Sequence, residues 1–293
     1  MNIYHLQVIV GSLAFGSVYA LVALGVVFIW QSMNILNFAH GQFLMWGTYI
    51  SIVALHRGIG WPLQLAIPVA LGIVGLIGVL FSKTVYERIR TQPELVIIIA
   101  TMGLSLIMEN SALLIFGPRP RGFEGPFGRT MIWVGDIGFL TNHLFCFVVT
   151  AFILVLLSVV LKYTMVGKII RAIAYDKETA GLLGVLVPRF LAFTFGGACV
   201  LAGIAGILVA PSICISTDMG TALGNKAFAA MVIGGFGSIP GAIVGGYLVG
   251  LMEGLGTLVL GSAYRDIVVF ASVILVLLLR PCGLFGSTEA VRL

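Results

Sequence analysis

The feature that most constrains this 293-residue chain is its succession of long apolar runs. They fall at about Val8–Trp30, Phe38–Leu55, Pro62–Phe81, Leu95–Phe116, Leu144–Leu161, Phe190–Pro211, Ala227–Phe236, Ala242–Leu260 and Ile267–Leu279. A helix needs roughly 20 apolar residues to cross a hydrocarbon core, so seven or eight of these runs can do so. Ala227–Phe236, at about 15 Å of helix, is too short and reads as a half-helix or re-entrant piece. The expected fold is all-α, a polytopic transmembrane helix bundle of about 8 spans with broken or re-entrant segments.

Composition agrees. Only 9% of residues are charged and 60% are hydrophobic, against about a quarter charged in soluble domains. Lipid is the solvent that suits such a chain. The formal charge of +5 does not point to nucleic acid, because the basic residues sit mainly in breaks between apolar runs. Lys83, Arg88 and Arg90 share one break, Lys162, Lys168, Arg171, Lys177 and Arg189 another, and the tail holds Arg280 and Arg292. The positive-inside rule puts these in the cytoplasm, with the N-terminus and the Gly117–His143 loop outside, although that loop carries Arg119, Arg121 and Arg129. The residues before Val8 hold no Lys or Arg, so the first run is expected to be retained rather than cleaved. Cys146, Cys199, Cys214 and Cys282 are far apart and form no C-x-x-C pair, which leaves no metal site or disulfide to expect.

Two segments are too polar and glycine-rich for ordinary spans: Asn34-Ile-Leu-Asn-Phe-Ala-His-Gly41, and Gly224-Asn-Lys running to Ser-Ile-Pro-Gly241. Each sets polar residues where a helix would begin or break. Irregular backbone at membrane depth survives only beside protein or a water-filled cavity. Asn37, His40, Asn225 and Lys226 are therefore expected near a translocation path. Asn37 alternatively caps a helix beginning at Phe38, and His40 alternatively bonds a freed carbonyl. Glu109 and Asn110 lie within or near the end of their span, to bond a neighbouring helix or to line the path. Glu253 sits mid-helix beside Gly246, Gly250 and Gly254. It is expected between helices, bonded to a Ser, Thr, Tyr or backbone donor or else protonated, with structural glue or the path as its role. Gly241 and Gly245 continue the four-residue glycine spacing, which reads as packing. His5, His56 and His143 lie at span ends and read as interfacial.

Within Lys162–Arg189, Ile169 and Ile173 are four apart, as are Ile170 and Ala174, giving a short helix with one apolar face. Gly184 and Pro188 would stop it. Such a helix lies on lipid or docks a soluble partner.

Here the residues resemble a known family. Glu178-Thr-Ala-Gly-Leu-Leu-Gly184 is similar to the E-A-A-x-x-x-G signature of bacterial ABC importer permeases, with Thr179 in place of the first Ala. Arg171-Ala-Ile-Ala-Tyr-Asp176 brings it closer to the form in branched-chain amino acid permeases, a family that includes urea and amide importers. Asn37-Phe-Ala-His-Gly41 with Gly47 and Tyr49, and Lys226-Ala-Phe followed by Gly234-Gly-Phe-Gly-Ser-Ile-Pro-Gly241, resemble two further family segments. An acidic residue also stands in the family where Glu253 stands. The resemblance runs from about Gly11 to Gly286 and is nearer the shorter, H-type subunit.

It implies one permease domain over residues 1–293, with a cytoplasmic coupling segment at about 162–189. Partners would be a second homologous permease, two ABC ATPase subunits, a periplasmic substrate-binding protein and the bacterial inner-membrane bilayer. Arg171, Asp176, Glu178 and Gly184 would form the ATPase coupling contacts. No G-x-x-x-x-G-K-[ST] occurs, so no cofactor is expected in this chain, and ATP and Mg would be bound by the ATPases. The cargo would be branched-chain or other small amino acids, alternatively urea, short amides or small carboxylates. An ion-coupled secondary transporter would use Glu109 and Glu253 but leaves Arg171–Gly184 unexplained. A membrane enzyme would need clustered His, Cys or acidic residues, and these are scattered.

Overall fold

Backbone polar groups in lipid must be satisfied internally, which the helix does segment by segment. The computed structural model, which describes residues 3–128, 130–134 and 137–286, is accordingly built of helices. In chain order these begin with α1 (Ile3–Met33) and α2 (His40–Thr48), which runs on as a π-helix over Tyr49–Gly58. α3 (Leu63–Phe81) leads through a π-turn (Ser82–Tyr86) into α4 (Glu87–Ile89), and α5 (Glu94–Phe116) follows. An antiparallel hairpin of β1 (Met131–Val134) and β2 (Ile137–Leu140) precedes α6 (Thr141–Tyr163). Then come α7 (Met165–Tyr175), α8 (Lys177–Leu182), α9 (Val187–Val209), α10 (Met219–Gly234), α11 (Ile239–Leu260), a 3₁₀ turn (Ser262–Tyr264) and α12 (Arg265–Leu279).

Seven helices among the described residues are long and apolar enough to cross a bilayer. The chain is a multi-pass membrane protein. Phe38–Leu55, expected as a further span, is helical but changes from α to π winding at Tyr49. The hydroxyls of Thr48 and Ser51 bond the carbonyls of Leu44 and Gly47 one turn back, at 3.0 and 2.7 Å. Such back-bonding competes with the regular ladder there.

Two expectations are corrected. The run expected as a short piece at Ala227–Phe236 belongs to a 16-residue helix starting at Met219. At roughly 24 Å it is still shorter than a bilayer core of about 30 Å. Asn225 and Lys226 therefore stand inside α10 and not at a break. The break comes after Gly234, where Gly235 and Gly237 take φ of +109° and +75°. Ser238 then caps α11, its Oγ accepting the Gly241 N–H at 3.1 Å, with Pro240 in the first turn. The hairpin in the loop before α6 had no signature in the sequence. Arg129 and Arg292, counted for topology, lie outside the described residues.

α1 stands at the centre, packed by α11, α9, α10 and α6. Its residues Val18 to Leu24 are fully enclosed. A helix that is apolar all round is suited to that position. Lipid tails give no hydrophobic drive between helices, so close packing must hold them. The glycine stripe on α11 supplies it on two faces. Gly246 and Gly250 meet the α1 backbone at Ala20 and Gly16, and Gly254 meets the Ser12 side chain. Gly241 and Gly245 turn to α10, against Gly234 and Ala230. α5, α6 and α12 present large apolar side chains outward, among them Leu114, Phe152 and Leu278, a surface for lipid or a partner.

The connections sort to two ends. Gln7 Nε2 donates to the Gly138 carbonyl at 3.0 Å, joining the start of α1 to the hairpin, and Arg57 Nη2 to that of Gly122 at 2.6 Å, joining the end of the π-helix to the same loop. At the other end Lys177 Nζ donates to the Met33 carbonyl at 3.1 Å, with Arg90 near enough to oppose its charge. The basic breaks read as cytoplasmic thus meet at one end.

A Cβ at Gly250 would stand 2.5 Å from Gly16 Cα, which side-chain rotation cannot relieve. Overpacking of this kind costs about 1–3 kcal/mol or more. Gly250→Leu is expected to abolish most monodisperse protein in detergent size-exclusion chromatography, whereas Gly103→Ala, which meets open space, leaves it unchanged.

Candidate translocation cavity and coupling segment

Where α1 ends, the chain turns back through Asn34, the one described non-glycine residue with positive φ (+58°), and reaches α2 at His40. Asn tolerates that conformation better than most residues. Asn37 does not cap a helix at Phe38, as expected. Its Oδ1 accepts the Ala39 N–H at 3.0 Å, an Asx turn that delays the helix to His40. α2 can then approach α10 at backbone distance: a Cβ on Gly224 would lie 2.9 Å from Gly41 Cα. Only glycine at both positions allows this contact.

The result is a cavity of about 260 Å³ between α1, the Asn37–Gly41 turn, α5 and α10. Asn37, His40, Glu109 and Asn225 all line it. Glu109 Oε2 accepts the Thr221 hydroxyl at 2.9 Å and the Gln42 amide at 3.1 Å. The same amide lies 2.9 Å from the Thr221 hydroxyl and 3.2 Å from that of Ser105. Asn110, one residue on, is exposed and bonds back to the Leu106 carbonyl, away from this cluster. Gln42, Ser105 and Thr221 were not singled out in the sequence. Ser105 and Glu109, and Thr221 and Asn225, are each four apart, a pairing by helix face that was there to be read.

Lys226 and Glu253 do not line this cavity. Lys226 Nζ, 6% exposed, pairs with Glu253 Oε1 at 2.6 Å and with Asp266 Oδ1 at 2.8 Å. Glu253 Oε2 accepts the Tyr19 hydroxyl at 2.6 Å. The carboxylate thus lies between helices with a tyrosine donor, and it holds a lysine besides. The cluster ties α10 to α1, α11 and α12. Tyr19 and Asp266 gave no periodic signal, because the contact joins residues 234 apart in sequence at one point and other helices at the rest.

The coupling segment is not one helix. Asp176 is extended at φ −155° and separates α7 from α8. Thr179 Oγ1 and the Glu178 N–H, the latter at 2.9 Å, donate to its carboxylate, hold it below the usual carboxylate range and cap α8. α8 ends in a Schellman turn: Val185 N–H bonds the Ala180 carbonyl at 3.1 Å, Gly184 N–H that of Gly181 at 3.0 Å, with Gly184 at φ +87°. The face of α7 that packs inward is Gly167, Ile170 and Ile173, with Ile169 half-buried beside it; Ala174, expected on that face with Ile170, is exposed. Arg171 Nη1 donates to the Leu161 carbonyl at 2.7 Å, clamping α7 to α6, while Glu178 is exposed. Burial, with Arg90 beside it, lowers the Lys177 amine from its ordinary value. Tyr175 and Leu182, 95% and 88% exposed, jut from this charged segment.

The sequence model of the family described as "Branched-chain amino acid transport system / permease component" matches residues 8–277. The chain belongs to this family. Among relatives, the permease protein LivH of the high-affinity branched-chain amino acid transport system of Escherichia coli K12 is 34% identical, over 98% of this chain and 97% of its own length. BraD of Pseudomonas aeruginosa is 33% identical over 98% of each. A probable LivH of Methanocaldococcus jannaschii is 29% identical over 96% of this chain and 92% of that one. Among solved structures, PsaBC from Streptococcus pneumoniae in complex with Fab aligns at 15% identity and a TM-score of 0.49, covering 92% of this chain and 89% of that one.

For the permease, the buried charge cluster is testable by a double-mutant cycle. Removing one partner of a buried pair costs up to about 3–5 kcal/mol, and less here, where Asp266 still faces Lys226 and Tyr19 still faces Glu253. Lys226→Met and Glu253→Leu are each expected to lower the yield of folded protein sharply. The double variant is expected to recover part of it, a coupling on the order of 1–3 kcal/mol, measured by thermal denaturation in detergent. Strict additivity would show that the two residues are not coupled.

Proposed function

We propose that the chain is a permease subunit of an ATP-binding-cassette importer for branched-chain amino acids in the cytoplasmic (inner) membrane. The observation that carries this reading is a full-length likeness to permeases named for branched-chain amino acid transport. The whole chain acts as one permease domain. The cavity at Asn37, His40, Glu109 and Asn225 belongs to the translocation path, which a second, homologous permease completes. A periplasmic binding protein delivers the substrate to the outer face.

Two ATPase subunits bind ATP and Mg, since the chain has no phosphate-binding loop of its own. Their docking surface is the turn of α7, α8 and Gly184. Exposed Tyr175, Leu182 and Leu183 there suit a groove in a soluble partner, with Glu178 as a polar contact. Asp176 and Arg171 act by shaping the segment, because both are engaged within the chain.

The test is leucine uptake into proteoliposomes holding the complex and its binding protein. Uptake is expected only with ATP inside and all partners present. Uptake of urea or acetamide in place of leucine would refute the cargo, and ion-gradient-driven uptake without ATPases would refute the class. Gly184→Trp, at a positive φ beside the docking surface, is expected to cut uptake about tenfold or more while ATP hydrolysis by the assembled complex persists. Normal uptake by a normally assembled Gly184→Trp complex would refute the coupling role.

A further inference from the structure

The spanning helices present two kinds of outer surface. Between Leu65 and Leu80 on α3, and between Leu144 and Val159 on α6, every exposed residue is apolar or glycine. Lipid tails cover such a surface as well as protein does. The surface made by α5, α10 and α12 is different. Asn110 of α5, Thr221 and Asn225 of α10, and Arg265 and Asp266 of α12 are all exposed there. Two contacts show that these residues share one face. Glu109 Oε2 accepts the Thr221 hydroxyl at 2.9 Å, joining α5 to α10, and Lys226 Nζ pairs with Asp266 Oδ1 at 2.8 Å, joining α10 to α12. The cavity opens on the same face, since Met102, Leu106, Thr221 and Asn225 line it and are exposed. Asn110 stands one helical turn beyond Leu106.

The charges on this face lie below the outer end of the bundle. Lys226 pairs with Glu253 at 2.6 Å as well as with Asp266. Glu253 precedes the end of α11 at Leu260 by seven residues, about 10 Å of helix. Arg265 and Asp266, with side chains 53% and 54% exposed, stand at that depth. Charged and amide groups within spans turn to protein or to a water-filled cavity, because lipid leaves them unsatisfied. Here this chain leaves them uncovered, so a second chain and the water between the two must cover them. The polar groups also fix what kind of chain that is. Each carries its own complement: the amides of Asn110 and Asn225 and the hydroxyl of Thr221 both donate and accept, and Arg265 and Asp266 are opposite charges 3.7 Å apart. Such a face is self-complementary, as required when a like face is set against it across a two-fold axis.

We propose that α5, α10 and α12 form the face on which the second permease docks, and that the homologous permease presents its own α5–α10–α12 face to it. α3 and α6 are left to lipid. Polar residues of the two chains then face one another across the open side of the cavity. Leu114, 86% exposed and one turn beyond Asn110, and Phe270, 41% exposed and one turn beyond Asp266, pack at the edges. The proposal rests on reading the chain as one of a pair of permeases.

The test uses the assembled importer, with the second permease carrying its own affinity tag. Leu114, Phe270, Phe152 and Leu76 are replaced, one at a time, by the photo-crosslinking residue p-benzoyl-L-phenylalanine. All four side chains are exposed, so none of the replacements disturbs the packed interior. Irradiation is expected to join the Leu114 and Phe270 variants to the tagged permease, and to give no such adduct from Phe152 on α6 or Leu76 on α3. No adduct from Leu114 or Phe270, or a permease adduct from Phe152 or Leu76, overturns the face. An adduct between two copies of this chain overturns the occupant. Asn110→Trp supplies a second measurement. Asn110 is exposed in this chain, so the variant is expected to reach the membrane at the wild-type level and to lose the second permease from its pull-down. Unchanged recovery of that permease also overturns the proposal. Failure of the second permease to co-purify with the wild-type chain refutes instead the paired reading on which the proposal rests.

Discussion

The contact between α1 and α11 is the constraint on which the rest depends. Inside a bilayer, two helices gain little from burying apolar surface, because lipid covers it equally well. What separates a packed pair from a dissolved one is how closely the backbones approach. Gly246, Gly250 and Gly254 set α11 directly against Ala20, Gly16 and Ser12 of α1. With α1 fixed, α9, α10 and α6 close around it. Gly241 and Gly245, on another face of α11, then hold α10 through Gly234 and Ala230. One helix of small residues thereby positions both the central helix and the helix that carries Thr221 and Asn225.

That arrangement decides where polarity is affordable in the interior. Lys226 is nearly sealed, yet it meets Glu253 and Asp266, and Glu253 also meets Tyr19. The cluster consumes its own charges and pins four helices together. The cavity beside it is of the opposite kind. There Glu109 accepts only the neutral donors Thr221 and Gln42. One bundle thus holds two polar clusters, one whose charges answer one another and one in which a carboxylate is met by neutral donors alone.

At the surface opposite the hairpin loop, the same economy shapes the coupling segment. Arg171 is drawn back onto the Leu161 carbonyl and Lys177 onto that of Met33, so the basic residues brace α7 and α8 against α6 and α1. Their engagement leaves apolar Tyr175, Leu182 and Leu183 as the outward features. A segment read by composition as polar contacts is, in three dimensions, an apolar projection on a polar frame.

By itself the sequence determined the solvent and the class of fold. Runs of about 20 apolar residues leave a chain no alternative to spanning helices. It also marked Asn37, His40, Glu109 and Asn225, because polar residues in or beside such runs are individually conspicuous. Helix limits were less legible. Nothing local stops α10 from starting at Met219, so Asn225 and Lys226 read as a break although they stand within a helix. Gly184 was legible as a stop, but Asp176 was not, since its carboxylate breaks the segment by capping α8. Only the tertiary structure decided that Lys226 answers Glu253 and that Gln42 and Thr221 answer Glu109. Those partners lie 27 to 112 residues apart. Helical periodicity relates neighbours one turn away, and it carries no record of which face of one helix will meet which face of another.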